Sequence, residues 1–262
     1  MRLLILSDLH DDFWFERNRN PFEGIEQSIS ELDHLLLTGD VSNKPKVRWK
    51  YAFERLSRIL PLDRVSVIPG NHDFYDFRFD GEDRLEELAA AFGVAYVQKK
   101  QIFLGEARIL CATLWTDFEL GLGSEINSRI VASKMNDYQR IRVAARGYGK
   151  LRPSDVLSRH RDHLKWLNET LSQPFSGKTY VATHHAPYQG VLRNYSEGLD
   201  AAYASDLSEL IDTHSPDAWF FGHSHDARDL TLGNTDLRNV SLGYPDDVFD
   251  PGSRIESLIF EV

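Results

Sequence analysis

Residues 65–73, Val-Ser-Val-Ile-Pro-Gly-Asn-His-Asp, contain the pattern that decides the fold. The apolar run Val65–Ile68 stops at Pro69, and the polar cluster Gly70-Asn71-His72-Asp73 follows at once. Short apolar runs bounded by turn residues are typical of buried strands. The stretch therefore predicts a buried strand that delivers polar side chains to the loop at its carboxyl end.

Four other polar clusters along the chain have the same arrangement. They are Asp8-x-His10 after Leu3–Leu6, Gly39-Asp40 after His34–Leu37, His184-His185 after Thr179–Thr183, and Gly222-His223-x-His225 after Ala218–Phe221. Six of the ten histidines lie in the five clusters. Ligands of open α/β sheets bind at the carboxyl ends of the strands, so the clusters predict one shared site. The glycines at 39, 70 and 222 predict tight turns with positive φ.

Helical spacing and further apolar runs fill the intervals between the clusters. The predicted helices are Val47–Leu60, Arg84–Phe92, Pro153–Leu171 with Ser154 as its N-cap, and Leu207–Asp212. The remaining predicted strands are Val94–Val97, Ile102–Leu104, Ile109–Leu114, Arg228–Leu232, Asp236–Val240 and Ile255–Glu261. Residues 116–150 are richer in Gly, Asn, Arg and Tyr, and they contain an amphipathic piece at Glu125–Met135. We interpret them as an inserted cap. No linker or repeat divides the chain, so residues 1–262 are predicted to form one domain.

Composition excludes several classes of protein. The net charge is −10, from 40 acidic and 30 basic residues, which disfavours a broad surface for long nucleic acids. A small anionic substrate remains compatible, because bound cations would reverse the field locally. The single cysteine, Cys111, lies in an apolar run and is predicted to be a buried, inert thiol. The apolar N-terminal stretch ends at Asp8, too short for a signal peptide or a membrane span, so we expect a cytoplasmic protein with no membrane partner.

The five clusters together resemble the signature of the calcineurin-like metallophosphoesterase superfamily: Asp-x-His, Gly-Asp, Gly-Asn-His-Asp, His and Gly-His-x-His. The resemblance runs from residue 8 to residue 225. The segments Leu114–Phe118 and Met135–Tyr138 are similar to those of small bacterial single-domain members. Such members often carry Asn-Pro-Arg-Gly-Tyr near the end, whereas this chain has residues 239–244 without the arginine. The fold implied is a four-layer α/β (αββα) sandwich of two mixed sheets flanked by helices, with a small helical cap insertion at about 116–150.

The resemblance also implies a dinuclear metal site and a set of ligands for each of its two metals. Asp8, His10 and His225 would hold one cation; Asn71, His184 and His223 would hold the other, with Asp40 bridging both. Mixed imidazole and oxygen donors suit two divalent transition metal ions, with manganese the first choice and iron, zinc or cobalt the alternatives. Two such cations would clamp a phosphoryl group and provide a hydroxide nucleophile.

The resemblance gives His72 the role of proton donor to the leaving oxygen, or of a cation that stabilises the pentacoordinate transition state. Asp73 would orient His72, although a turn residue bonded to the backbone is an equal alternative. His185, in a second layer around the metals, and Arg129, Tyr138, Arg140 and Arg142 of the insertion are candidate substrate contacts. Surface or structural roles are the competing interpretation for all of them.

The predicted function is hydrolysis of a phosphomonoester or phosphodiester, with a small phosphate ester or nucleotide as substrate. Two alternatives compete with it: a nuclease or cyclic-nucleotide phosphodiesterase, and an inactive interaction scaffold of the same fold. Inactive relatives typically lose ligands, whereas all seven ligand positions and His72 are present here. A serine hydrolase is disfavoured because the chain lacks a Gly-x-Ser-x-Gly elbow. The sequence decides neither the oligomeric state nor the physiological substrate.

Overall fold

Two large β-sheets dominate the computed structural model, which describes residues 1–193 and 198–262. The strands of the described residues are β1 (Arg2–Leu6), β2 (His34–Thr38), β3 (Val65–Ile68), β4 (Ala95–Tyr96), β5 (Lys100–Leu104), β6 (Ala107–Ala112), β7 (Arg142–Val143), β8 (Gly149–Lys150), β9 (Lys178–Thr183), β10 (Ala218–Phe221), β11 (Leu230–Leu232), β12 (Thr235–Asn239) and β13 (Ile259–Glu261). The first sheet has the order β13-β1-β2-β3-β4, and the second has the order β11-β12-β10-β9-β6-β5.

Both sheets are mixed. In the first, β1 to β4 are parallel and β13 runs antiparallel to β1. In the second, β6, β9, β10 and β12 are parallel, while β5 and β11 form antiparallel edges. The parallel strands bring the carboxyl ends of β1, β2 and β3 to one edge of the first sheet, and those of β9 and β10 to one edge of the second.

Helices flank the two sheets. They are α1 (Asp11–Glu16), α2 (Glu26–Ser30), α3 (Pro45–Leu56), α4 (Glu82–Ala90), α5 (Ser124–Lys134), α6 (Asp137–Arg140), α7 (Pro153–Leu171), α8 (Ser208–His214) and α9 (Pro251–Glu256). Two of them, α5 and α6, belong to the insertion. Helix α4 contacts β4 of the first sheet, and α7 contacts β6 of the second. None of the helices in the described part of the chain is both long enough and apolar enough to span a bilayer.

The alternation of side chains along β1 shows how the layers are held together. Leu4 and Leu6 belong to the apolar cluster that contains Trp49 of α3, whereas Leu3 and Ile5 belong to the cluster that contains Phe220 of β10. A strand with period two buries both faces, one against helices and one against the other sheet. The four-layer arrangement of helices, sheet, sheet and helices predicted from the sequence is confirmed.

The insertion lies between β6 and α7. It contains the helices α5 and α6 and a small hairpin of β7 and β8, which the sequence analysis did not predict. The end of α5 and the residues that follow it reach the cavity described below. Cys111 is buried as expected, and burial raises the pKa of its thiol.

Two local predictions were wrong. The stretch Ile255–Glu261 is not one strand, because α9 occupies its first part. The Asp250 carboxylate accepts a hydrogen bond from Ser253 N at 2.9 Å, and a proline follows this cap, which together start a helix. Helix α7 is capped at Arg152 rather than Ser154: Arg152 N donates to the Asp155 carboxylate at 2.8 Å.

Candidate metal centre

The five polar clusters come together where the two sheets meet. The loops after β1 and β2 are joined by a hydrogen bond from Asp8 N to Gly39 O at 3.0 Å. The loops after β9 and β10 are joined by one from Gly222 N to His184 O at 2.9 Å. His223 N then donates to the Asp8 carboxylate at 2.9 Å, which links the two sheets. Hydrogen bonds thus join segments that are far apart in the sequence into one connected set of loops at the base of the site.

One group of ligand-type atoms consists of Asp8, His10 and His225, all within 4.8 Å of one another. His225 Nε2 lies 3.2 Å from Asp8 Oδ1. The Nε2 atoms of His10 and His225 lie 3.1 Å apart. Three donor atoms that share so small a volume suit a single cation.

A second group consists of Asp40, His184 and His223, again within 4.8 Å. Asn71 adds a neutral oxygen, because its Oδ1 lies 3.0 Å from His184 Nε2. The amide is oriented by Asp137 of α6, whose carboxylate accepts a hydrogen bond from Asn71 Nδ2 at 2.8 Å. The insertion therefore fixes the amide so that its oxygen faces the centre.

Asp40 lies between the two groups. Its Oδ2 is 3.8 Å from His10 Nε2, and its Oδ1 is 3.5 Å from His184 Nε2. Burial raises the pKa of Asp40 well above its usual value, and the negative charges of Asp8 and Asp73 raise it further. A buried carboxylate in this position is stabilised by cations on either side of it.

The hydrogen bonding of the histidines fits a metal. His184 Nδ1 lies 3.0 Å from the carbonyl oxygen of Thr38, so it carries the proton and donates. Its Nε2 lone pair then faces Asn71 Oδ1, and two acceptors at this distance repel each other unless a cation lies between them. The Nε2 atom of His223 is buried and has no hydrogen-bond partner among the described residues. Burial lowers the pKa of His10, His184 and His223, which favours the neutral imidazole that binds metals.

His72 is held by a different partner from the one expected. Its Nδ1 donates to Asn43 Oδ1 at 3.1 Å, and Asn43 Nδ2 donates to Asp12 Oδ2 at 2.8 Å. The ring stacks on Tyr75 with a centroid distance of 4.1 Å. Burial lowers the pKa of His72 to about 3. The ring is therefore fixed on one side and neutral, with Nε2 as the nitrogen that remains for proton transfer.

Asp73 makes its hydrogen bonds elsewhere, in agreement with the backbone-bonded alternative. Its carboxylate accepts from Asp40 N at 2.8 Å, Gly70 N at 2.9 Å, and Trp49 Nε1 at 2.8 Å, with further bonds from the amides after Asp40. Burial raises the pKa of Asp73 to about 6. Asp73 thus connects the loops after β2 and β3 and does not orient the His72 ring.

The glycine prediction was right for Gly39 and wrong for Gly70. Gly39 has φ +103°, whereas Gly70 lacks a positive φ. A Cβ at residue 70 would lie 2.6 Å from Asp40 N and 2.7 Å from His184 Cε1. The glycine is needed there because other parts of the centre approach its backbone. Gly222 likewise lacks a positive φ and sits against Asp8.

A cavity of about 410 Å³ opens above the two groups. Three aromatic residues line it: Tyr75, Tyr203 and Tyr244. Tyr244 stacks on His10 with a centroid distance of 4.5 Å, and Tyr203 lies 4.8 Å from His223. Lys134, at the end of α5, also lines the cavity, and it is exposed. These side chains are placed to contact a substrate, and none of them was singled out from the sequence.

The substrate contacts expected from the sequence do not line this cavity. Arg129 is 78% exposed and pairs with Glu125, and Tyr138 is buried at 5% exposure. Arg142, like Arg140, lines a separate cavity. His185 is buried behind the centre, with its ring 4.4 Å from that of His223 and its Nδ1 3.2 Å from Thr113 O.

Sequence reasoning also missed Asn43, Asp12 and Asp137. Asn43 lies three residues after Asp40, on the same loop, so its spacing was a usable signal. Asp137 lies inside the segment Met135–Tyr138, which was noted for its resemblance but given no role. The partner of each is far away in the sequence, by 29 positions for Asn43 with His72 and by 66 for Asn71 with Asp137.

Comparisons with known proteins agree with this geometry. The family model described as calcineurin-like phosphoesterase matches residues 1–227. Among curated proteins no match was found. Similar solved structures include the phosphopantetheinyl hydrolase of Mycobacterium tuberculosis, at 17% identity and a TM-score of 0.68, covering 95% of this chain and 93% of that one. The protein TT1561 of Thermus thermophilus is 16% identical, with a TM-score of 0.52 and coverage of 97% and 95%. A putative 5'-nucleotidase from Staphylococcus aureus is 13% identical, with a TM-score of 0.51, over 91% of this chain and 48% of that one.

Proposed function

The chain belongs to the calcineurin-like phosphoesterase family, and we propose that it hydrolyses small phosphomonoesters or phosphodiesters, nucleotides included, at a dinuclear centre of divalent transition metals. The observation that carries the proposal is that two groups of ligand-type atoms lie on either side of Asp40. Within each group, the atoms lie no more than 4.8 Å from one another. The repulsive contact between His184 Nε2 and Asn71 Oδ1 at 3.0 Å supports a cation between them.

The assignment of residues to each metal follows the two groups. Asp8, His10 and His225 would hold one cation; Asn71, His184 and His223 would hold the second, with Asp40 shared. When bound, the cations supply Lewis-acid charge for the phosphoryl group and a hydroxide nucleophile near neutral pH. Mixed nitrogen and oxygen donors favour manganese, with iron, zinc or cobalt as alternatives.

Within the chain itself, His72 has the role of proton donor to the leaving oxygen. The bond to Asn43 holds its Nδ1 proton in place, so Nε2 is the atom that exchanges a proton with the cavity. Burial keeps the free ring neutral, with a pKa of about 3, and an anionic phosphate beside Nε2 opposes this effect. His72 would therefore take up its proton together with the substrate and release it to the leaving group.

The lining of the cavity supports a small substrate with an aromatic part. Tyr203 and Tyr244 offer ring faces on which a base could stack, and Lys134 offers a cation at the entrance. The putative nucleotidase among the similar structures is consistent with nucleotides as a substrate class. The nuclease alternative is weaker, because the net charge of −10 opposes binding of a long polyanion. A cyclic-nucleotide phosphodiesterase remains the second candidate function.

The test is a metal-reconstituted activity screen. Protein loaded with Mn²⁺ is assayed on p-nitrophenyl phosphate, bis(p-nitrophenyl) phosphate, AMP and cyclic AMP. His72→Ala should lower kcat by about 10²–10⁴-fold while the metal content stays the same. His214→Ala is the matched control, because His214 is half-buried at the end of α8, lies in neither ligand group, and bonds through its ring to Asn168 Oδ1. Equal rates for His72→Ala and wild type would remove His72 from the mechanism, and the absence of turnover on all four esters would refute the proposal. The cytoplasmic location stays a prediction, to be tested by cell fractionation.

A further inference from the structure

A second cavity, of about 450 Å³, lies next to the metal centre and has a strongly cationic lining. We call it the basic cavity and define it by its charged side chains: Lys46, Arg78, Arg84, Arg140, Arg142 and the single carboxylate Asp76. The protein as a whole is acidic, with a net charge of −10. Five cations around one carboxylate therefore form a local concentration that the overall composition does not explain.

The charges of the basic cavity are only partly neutralised by the protein. Arg140 pairs with Asp76 at 2.7 Å, Arg78 pairs with Asp83 at 3.1 Å, and Arg84 pairs with Glu87. Lys46 lies 5.4 Å above the Phe77 ring. Among the described residues, no carboxylate lies within 4.0 Å of the charged groups of Lys46 and Arg142. These two cations are available for an anion from outside the chain.

The backbone forces two of the arginines to be neighbours. Arg78 and Arg142 form an isolated parallel bridge, and Phe79 N donates to Arg142 O at 2.7 Å. Like charges on paired positions of adjacent strands destabilise the pairing. An anion in the cavity that both side chains line would offset this unfavourable charge, and a guanidinium group can bind two phosphate oxygens at once.

The basic cavity adjoins the catalytic cavity. Tyr75 lines the latter and stacks on His72 at 4.1 Å. The guanidinium of Arg140, which lines the basic cavity, lies 4.6 Å from the centre of the same Tyr75 ring. Tyr75 therefore contacts both the proposed proton donor and a cation of the basic cavity, which places the two cavities side by side.

We propose that the basic cavity binds a second phosphate group of the substrate, so that the substrate class is doubly phosphorylated small molecules such as nucleoside bisphosphates. This inference rests on the proposed function, because the first phosphate would react at the metal centre. The volume of the cavity suits one phosphate-sized group with part of its carrier.

The experiment compares adenosine 3',5'-bisphosphate with AMP. The variants Lys46→Gln and Arg142→Gln remove the two cations without leaving a carboxylate unpaired. The control is Arg161→Gln, which removes an exposed arginine of α7 that likewise has no carboxylate within 4.0 Å among the described residues. For wild type, kcat/KM should be higher for the bisphosphate than for AMP, and each variant should lower that ratio about tenfold. The control should leave the ratio unchanged.

Binding is measured in parallel by calorimetry, so that the inference does not depend on turnover. The bisphosphate should bind the manganese-loaded wild type about tenfold more tightly than it binds either variant. If neither ester is hydrolysed while this difference persists, the proposed reaction fails and the basic cavity stands. Equal binding and equal kcat/KM ratios in wild type and variants would overturn the inference.

The anion in the basic cavity could be a phosphate group of the substrate or free inorganic phosphate. A titration with inorganic phosphate distinguishes these two sources. If wild type binds an extra equivalent of phosphate that both variants lose, while the kcat/KM ratio is the same in all proteins, the cavity takes a free anion. That result would overturn the assignment to a substrate phosphate. A lowered ratio in the variants supports it.

Discussion

The most direct test of the metal centre is the variant His223→Gln, studied by metal-linked stability. The imidazole Nε2 of His223 is buried and has no hydrogen-bond partner among the described residues, so the structure gives this atom no role other than coordination. Glutamine keeps a polar side chain of similar reach but removes the imidazole nitrogen. The change should weaken one metal position and leave the group of Asp8, His10 and His225 intact.

The expected size follows from binding linkage. A ligand present at 1,000 times its Kd raises the free energy of unfolding by about 4 kcal/mol for each site. Two occupied sites should therefore stabilise wild type by about 8 kcal/mol relative to protein in chelator. A loss of about 100-fold in affinity at one site would reduce that gain by about 3 kcal/mol.

Urea unfolding followed by circular dichroism measures these quantities, in EDTA and in excess Mn²⁺, with metal content determined on the same samples. His214→Gln, at a half-buried position on α8 that belongs to neither ligand group, should show the full gain of wild type. The reasoning is refuted if His223→Gln gains as much stability from Mn²⁺ as wild type does. It is also refuted if wild type unfolds at the same urea concentration in EDTA and in Mn²⁺.

Three further predictions concern the surroundings of the centre. Asn43→Ala should lower kcat by about 10-fold or more, with the metal content unchanged, because His72 loses the acceptor that holds its Nδ1. Steady-state kinetics with metal analysis checks both, and an unchanged kcat would contradict the positioning role of Asn43. Gly70→Ala should destabilise the protein by about 1–3 kcal/mol and lower its metal content, because the new Cβ would clash with Asp40 N. An unchanged midpoint of thermal unfolding would show that the backbone at residue 70 has room for a Cβ. His34 lies outside the centre, and burial lowers its pKa from 6.5 to about 4. Between these pH values the unfolded chain therefore binds more protons than the folded one, so the free energy of unfolding falls as the pH falls. His34→Gln should reduce this fall in the free energy of unfolding between pH 7 and pH 4 by about 2 kcal/mol, measured by urea titration at both pH values. An identical pH dependence in variant and wild type would rule out a contribution from His34.

The convergence of the proposed ligands could be predicted from the sequence because their positions are encoded locally. In each of the five clusters, an Asp, Asn or His lies within three residues of the end of a short strand-forming run, and a strand that buries both faces must end where the polar residues begin. The residue types also carry the chemistry, since imidazole and carboxylate side chains are the usual metal ligands. The position of a residue at a strand end and the chemistry of its side chain can both be read without knowledge of the three-dimensional fold.

The supporting hydrogen bonds could not be predicted in the same way. Asp73 was assigned to His72 because the two are adjacent in sequence, yet adjacent residues on a turn point in different directions. The actual partner, Asn43, comes from another loop, and Asp137 reaches Asn71 from the insertion. Such contacts depend on how the sheets and the insertion pack, and apolar periodicity carries no information about them.

The backbone of the centre explains why these loops present their side chains to one point. Five of the proposed ligands have left-handed φ: Asp8 (57°), His10 (45°), Asp40 (55°), His223 (66°) and His225 (50°). Asp, Asn and His adopt this conformation more readily than other side chains, so the residue types that suit a metal also suit the turn. The conformation is still unfavourable and persists only where surrounding bonds determine it. Here His10 N donates to Asp40 O at 2.9 Å, and Gly243 N donates to Asp8 O at 3.1 Å. Because these bonds are between backbone groups, they hold the left-handed turns independently of any cation, and metal binding can act mainly on side chains that already face one another.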